Sequence, residues 1–219
     1  MKIKGAIFDL DGTLIDSMPI WQNLSFDFLT SLGVTPKPDL REKVSAMFLR
    51  ESSEYTIKEY NLNCSVEDVL KYMYEQINDF YFNRVPPKAD AFEFLKKLKA
   101  NGVKMCVATA TERSLASAAL KLNGMLDFFD EIFTCSDIGL NKQDPKIFEL
   151  TLEALGTKKE ETFVFEDAAH AVKTANKAGF PVIAIFDEAA AKEKDEISKF
   201  SQKYIHNYCE LDGFFENIE

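Results

Sequence analysis

The stretch Ile3-Lys4-Gly5-Ala6-Ile7-Phe8-Asp9-Leu10-Asp11-Gly12-Thr13 is the segment from which the fold is read. Its run from Ile3 to Phe8 is short and largely apolar and halts at an Asp/Gly turn, the pattern of a buried strand that ends in a loop. Asp9 then stands at the strand's carboxyl end. By itself Asp-x-Asp-Gly-Thr reads equally as an Asx-type turn leading into a helix cap, so its meaning depends on what the rest of the chain brings to it.

Downstream the texture becomes helical. Trp21, Leu24, Phe28, Leu29 and Leu32 recur at helical spacing over about 18–32, with Gly33 as the C′ residue. Helical patterns continue near 52–60 and 65–82, the latter opened by Ser65 as N-cap with Asp68 three residues on. No strand signal interrupts them. Pro86 and Pro87 punctuate the chain, which places a helical insertion at 16–86 between core segments 1–15 and 87–219.

After the prolines, helix and strand alternate. A helix through Phe92, Phe94, Leu95 and Leu98 ends at Gly102, and Val103 to Ala108 is an apolar strand closing on Thr109. The pattern then gives a helix over 112–122, a strand over 131–134 and a helix over 145–155, with Pro145 in its first turn and Gly156 past its end. A strand over 162–165, a helix over 168–178, a strand over 181–186, a helix over 189–200 and a weak strand at 204–205 follow, before a short terminal helix. Such alternation implies an α/β fold with a parallel sheet.

Composition narrows the function. The 219 residues suit one domain with a modest insertion, and 46% hydrophobic against 28% charged residues is ordinary for a folded globular chain. The formal charge is −10 with no Lys/Arg stripe, which disfavours nucleic acid as a partner. That negative field also repels a phosphorylated metabolite, so a phosphate site must reverse the potential locally. Cys64, Cys106, Cys135 and Cys209 are scattered and the only histidines are His170 and His206, so neither zinc nor a disulfide framework is indicated. Charge precedes any signal-peptide core and no apolar run reaches membrane-spanning length, so a cytoplasmic location with no membrane partner is expected.

In an open parallel sheet the carboxyl ends of the strands share one edge, where ligands bind. Asp9-x-Asp11, Thr109, the loop bearing Lys142, and Glu166-Asp167 each follow an apolar strand. Each alone has an ordinary reading: Thr109 as a turn or cap residue, Lys142 as a solvated lysine, Glu166-Asp167 as an acidic helix start favoured by the helix dipole. Jointly they differ, because carboxylates converging on one crevice repel one another unless a hard cation is bound, and Mg²⁺ prefers oxygen ligands. Asp9, Asp11 and Asp167 suit that role, while Lys142, the Thr109 hydroxyl and amides of the loop through Gly12 and Thr13 could hold phosphate oxygens.

Four segments, Phe8-Asp9-Leu10-Asp11-Gly12-Thr13-Leu14, Val107-Ala108-Thr109-Ala110-Thr111, Lys142-Gln143-Asp144-Pro145 and Val164-Phe165-Glu166-Asp167, together resemble the ordered motifs of the haloacid dehalogenase-like superfamily. The resemblance spans nearly the whole chain and points to the β-phosphoglucomutase-like and phosphatase branch. It implies a doubly wound, Rossmann-like core with a small all-helical cap inserted after the first strand. It also implies a Mg²⁺-dependent phosphatase acting on a small phosphorylated metabolite (sugar, polyol or related monoester), as a monomer or weak dimer. In that reading Asp9 is nucleophile and metal ligand and Asp11 is acid and base, ligating through its backbone carbonyl. Asp167 ligates directly, Glu166 assists through a water, and the cap closes over the crevice.

Departures from the family pattern bear on the details. Gln143 stands where relatives commonly carry proline, and Lys142 keeps its place; Lys146, in a helix's first turn, is expected to face solvent. Ala110 replaces a frequent Ser or Asn, with its amide still available to phosphate. Trp21 occupies the place of a histidine in sugar-phosphate mutases, which disfavours the phosphomutase alternative; packing is the ordinary reading of that Trp. Asp11 argues against dehalogenation, and the cap lysines Lys58 and Lys71 fit solvated faces better than a Schiff base. A phospho-Asp receiver domain remains as a non-enzyme alternative, against which the order of the acidic motifs and the large insertion both count. Among cap residues Arg50 is the preferred substrate contact over Arg41 and Arg84. Met47, Phe48 and Tyr55 either line a pocket or pack the cap, packing being preferred, and His170 is given no role.

Overall fold

The computed structural model describes residues 1–45 and 47–217. In chain order the elements are β1 (Gly5–Phe8), α1 (Met18–Ser31), α2 (Leu40–Val44), α3 (Leu49–Tyr60), α4 (Val66–Asn83), α5 (Ala91–Ala100), β2 (Lys104–Thr109), α6 (Arg113–Leu122), β3 (Glu131–Thr134), α7 (Cys135–Ile138), α8 (Lys146–Leu155), β4 (Thr162–Glu166), α9 (Ala169–Lys177), β5 (Val182–Ile185), α10 (Lys194–Lys199) and β6 (Lys203–Ile205). The chain divides into two compact units, Met1–Asp16 with Val85–Glu219, and Ser17–Arg84.

The first unit is α/β. Its six strands order as β3-β2-β1-β4-β5-β6, and every pairing is parallel. β1 and β5 are buried at every position, which is why they read as unbroken apolar runs rather than alternating ones. On one side of the sheet Ile7, Ala108, Val164 and Val182 pack with Ile147, Phe148, Val172 and Ala175 of α8 and α9. Phe8 and Phe165 stack in parallel with centroids 4.3 Å apart, and Phe165 is also in ring contact with Phe94 of α5 at 5.7 Å. Gly5 is required by close approach: a Cβ there would lie 2.5 Å from Thr157 Oγ1.

The second unit is helical, with no strand among its described residues. Val69, Met73, Ile77 and Tyr81 form a four-residue-spaced buried stripe on α4, and α4 packs on α1 and α3. Its start is fixed by a reciprocal cap: Ser65 Oγ accepts from the Asp68 amide at 3.1 Å, and Asp68 Oδ2 accepts from the Ser65 amide at 2.9 Å. Trp21 packs within this unit, its Nε1 donating to the Tyr81 hydroxyl at 3.0 Å.

Three local readings change. The stretch after β3 is not bare loop: Thr134 Oγ1 accepts from the Asp137 amide at 3.1 Å and starts the four-residue α7, which Gly139 stops at φ 67°. α2 is likewise a single short helix that periodicity over a longer window does not register. The helix read over 189–200 is split into 3-10 turns at Glu188–Glu193 and α10. The cause is tertiary: Asp187 accepts from the Ala189 amide at 2.8 Å while Lys88 holds its other oxygen at 2.7 Å, which tightens the entry despite three alanines. No described helix is long and apolar enough to cross a membrane.

Candidate active site

The strand order reverses direction around β1, which lies between β2 and β4, and crevices for ligands form at such a switch. Asp9 leaves β1 at that point. Its amide still donates to the Phe165 carbonyl at 2.9 Å, so the backbone is held in the ladder while the side chain emerges at the sheet's edge. β4 ends on Glu166, and Asp167 follows at once. Carboxylate oxygens of Asp9, Glu166 and Asp167 come within 4.8 Å of one another.

Lys142 reaches the same place. Its ammonium donates to Asp9 Oδ1 and to Glu166 Oε1, the latter at 2.7 Å. All four groups are buried, with exposures of 7% for Asp9, 1% for Glu166, 6% for Asp167 and 6% for Lys142. The loop that delivers Lys142 explains Gln143. The Gln143 amide donates to Asn141 Oδ1 at 2.9 Å, and the Asp144 amide donates to the Asn141 carbonyl at 3.0 Å. A side-chain turn of this kind needs the N–H that proline lacks, so it supplies by hydrogen bonding the rigidity a proline would supply covalently. Lys146, one helical turn on, is exposed.

The remaining residues of the first motif are engaged locally. Gly12 adopts φ 80°, and a Cβ there would sit 2.4 Å from Asp167 Oδ2. Its amide donates to the Ile15 carbonyl at 2.9 Å, so it closes the turn. The Thr13 hydroxyl donates to Asp167 Oδ1 at 3.2 Å, and the Thr13 carbonyl accepts from the buried Tyr208 hydroxyl at 3.1 Å. Asp11 turns towards β2, where its Oδ2 accepts from the Thr111 hydroxyl at 2.6 Å. Thr109 is fully buried at the end of β2, and its hydroxyl oxygen accepts from the Thr111 amide at 3.0 Å. Ala110 lies exposed in the bend between them. Arg50 belongs to the helical unit, where it sits exposed on α3, 3.3 Å from Glu67. Thr111 and Tyr208 are the contributors that sequence reasoning did not single out.

Electrostatics at this edge are unbalanced. Burial raises the Asp9 carboxyl most strongly; Lys142 opposes this, but the Glu166 and Asp11 charges add to it, and the group is pushed up to about 7. Burial, then Glu166 and Asp9, push Asp167 well above the usual carboxylate range. Burial disfavours the charge on Lys142, yet the Asp9 and Glu166 carboxylates outweigh it and hold the ammonium above its ordinary range. Three carboxylates therefore face one lysine. An all-oxygen donor set with surplus negative charge fits a hard divalent cation such as Mg²⁺, which Asp9, Glu166 and Asp167 together could hold.

A family model described as haloacid dehalogenase-like hydrolase matches residues 6–185. The chain belongs to the haloacid dehalogenase-like hydrolase family. This member is 26% identical over 177 residues to a phosphorylated carbohydrates phosphatase of Thermotoga maritima, covering 81% of this chain and 82% of that one. It is 27% identical over 206 residues to the pyrophosphatase PpaX of Halalkalibacterium halodurans, covering 94% and 93%. Among solved structures, a Thermotoga maritima protein provisionally named β-phosphoglucomutase superposes with a TM-score of 0.81 at 23% identity, covering 94% of both chains. A Deinococcus radiodurans hydrolase of the same family, solved with phosphate and sodium bound, gives 0.76 at 21% identity over 95% and 93%. These last two likenesses establish the shared fold.

Proposed function

We propose that this hydrolase is a Mg²⁺-dependent phosphatase that cleaves a small phosphate monoester, of a sugar, polyol or similar metabolite, through an aspartyl-phosphate on Asp9. The observation that carries the reading is the buried set at the β1/β4 switch, where Asp9 is bonded to Lys142 beside Glu166 and Asp167. Phosphoryl transfer asks little of a protein beyond in-line positioning and charge stabilisation, and this is a charge-stabilising site.

In the first step an Asp9 carboxylate oxygen forms a bond to phosphorus, the bond from phosphorus to the leaving oxygen breaks, and Asp11 supplies that oxygen with a proton. In the second, water attacks phosphorus, Asp11 takes up its proton, and Asp9 is released with inorganic phosphate. Lys142 and the Thr109 hydroxyl hold the non-reacting phosphate oxygens, joined by the Ala110 and Thr13 amides, while Gly12 closes the turn that carries Thr13. Asp9, Asp167 and the Asp11 backbone carbonyl would hold Mg²⁺ with support from Glu166, and the ion would supply the positive charge that lets crowded carboxylates ionise beside an anionic substrate. Glu166 suits a supporting place, since its oxygens already accept from Lys142 and from the Ala168 amide at 2.6 Å.

The names of the curated relatives support phosphoester or phosphoanhydride cleavage. Trp21, packed against Tyr81 where a mutase of this family carries histidine, supports hydrolysis over isomerisation. The test is phosphate release from a panel of sugar and polyol phosphates, scored apart from isomerised product. Wild type is expected to release phosphate only with Mg²⁺, and Asp9→Asn to lose nearly all of it. Turnover that survives either chelation or Asp9→Asn contradicts the reading, and isomerised sugar phosphate without free phosphate replaces it with the mutase.

A further inference from the structure

We infer that Thr111 is a positioning residue that sets the acid-base carboxylate of Asp11 and the phosphate-facing hydroxyl of Thr109 with one side chain and one amide. The inference rests on the roles given above to Asp11 and Thr109. Its ground is the double contact: Thr111 Oγ1 donates to Asp11 Oδ2 at 2.6 Å, and the Thr111 amide donates to Thr109 Oγ1 at 3.0 Å.

Each contact has a chemical consequence. A carboxylate on a short loop samples several rotamers, and proton transfer to a leaving oxygen needs it in one of them, within hydrogen-bond reach of that oxygen. A hydroxyl donating to Oδ2 fixes the rotation of the carboxylate plane and keeps its own proton throughout both steps. Once Asp11 has given up its proton, hydroxyl donation to its carboxylate is a charge-assisted bond, stronger than a neutral pair. The second contact acts through direction. With the Thr109 oxygen already accepting from the Thr111 amide, its hydroxyl proton is the part left to donate, and it stays available to a phosphate oxygen. The chain forces the two together, because β2 ends at Thr109 and α6 begins at Arg113, so Thr111 falls in the intervening bend.

The position is half-buried, and valine has nearly the shape of threonine without the donor, so Thr111→Val deletes one hydroxyl and keeps the bend. The readout that separates positioning of an acid from plain structural support is leaving-group dependence. An alkyl phosphate needs its leaving oxygen protonated; p-nitrophenyl phosphate needs this far less. For Thr111→Val, kcat/KM on the alkyl phosphate is expected to fall about tenfold, the order of one well-placed hydrogen bond, with p-nitrophenyl phosphate changing by less than about twofold. Thr111→Ser, which retains the donor, restores the alkyl phosphate rate to within about threefold of wild type. Equal losses on both substrates, no loss on either, or failure of serine to rescue overturns the inference. Asp11→Asn, measured alongside, separates the two levels: if it retains alkyl phosphate turnover the acid-base role itself is wrong, whereas an inactive Asp11→Asn with a wild-type-like Thr111→Val removes only the role of Thr111.

Discussion

Gly12 illustrates how tightly single residues are constrained at this edge. Its φ of 80° disfavours any side chain, and a Cβ would meet the Asp167 carboxylate at 2.4 Å. Gly12→Ala therefore displaces the Asp167 carboxylate without removing any ionisable group. Loss of ligand placement on this scale typically weakens a metal by ten- to a hundredfold. The Mg²⁺ concentration giving half-maximal activity is expected to rise by at least about tenfold in this variant; an unchanged value means Asp167 is not a ligand. At this scale the sequence was informative on position at the end of an apolar run: Asp9, Thr109 and Asp167 lie at or just past the ends of β1, β2 and β4. It was silent on Tyr208, whose hydroxyl meets Thr13 across 195 residues of chain. It was nearly silent on Thr111, whose partner Asp11 lies 100 residues away. Such contacts exist only once the sheet has assembled.

Elements were legible in proportion to their length and to how little they depend on distant partners. The buried strands and the helices α1, α4 and α8 carry their own signals: an unbroken apolar run, a stripe at helical spacing, and caps such as Ser65 or Gly156. α2 and α7 are too short to show a period, and the split before α10 follows from the Lys88–Asp187 pair, which no local pattern encodes. The cap of α4 is a local device with a local test. Ser65→Ala removes the acceptor for the Asp68 amide and should lower stability by about 1 kcal/mol. The single tryptophan, Trp21, lies in the same helical unit, so urea unfolding followed by its fluorescence reads that loss directly. Phosphatase activity in the absence of urea should not change, since Ser65 has no part in the chemistry; an unaltered unfolding midpoint would show the cap to be energetically idle.

At the scale of the whole molecule, a net charge of −10 and a buried acidic cluster both act against holding another anion. In the chelated protein the cluster should make stability fall with rising pH. The folded-state value for Asp9 is raised from 3.8 to about 7, so between those values the unfolded chain has released a proton that the folded chain retains. The unfolded state then binds fewer protons, and stability declines as pH climbs through that window, with Asp167 acting in the same direction. A cation that binds the ionised cluster offsets the loss. Thermal unfolding with and without Mg²⁺ should consequently show a larger rise in Tm above about pH 7 than near about pH 5. A Mg²⁺ shift that is equal at both values, or larger in acid, would show that the cation does not bind this cluster.

The central claim is that Asp9 itself accepts the phosphoryl group, and an acyl phosphate has a reactivity no phosphoserine or bound phosphate shares. Borohydride reduces an aspartyl-phosphate to homoserine and leaves a free carboxylate untouched. The protein should be quenched in acid during turnover with Mg²⁺ and substrate, treated with borohydride, digested and sequenced by mass spectrometry. The account predicts homoserine at position 9, absent when Mg²⁺ or substrate is withheld. An unmodified Asp9 under conditions of steady phosphate release, or homoserine at Asp11 or Asp167 instead, would contradict it.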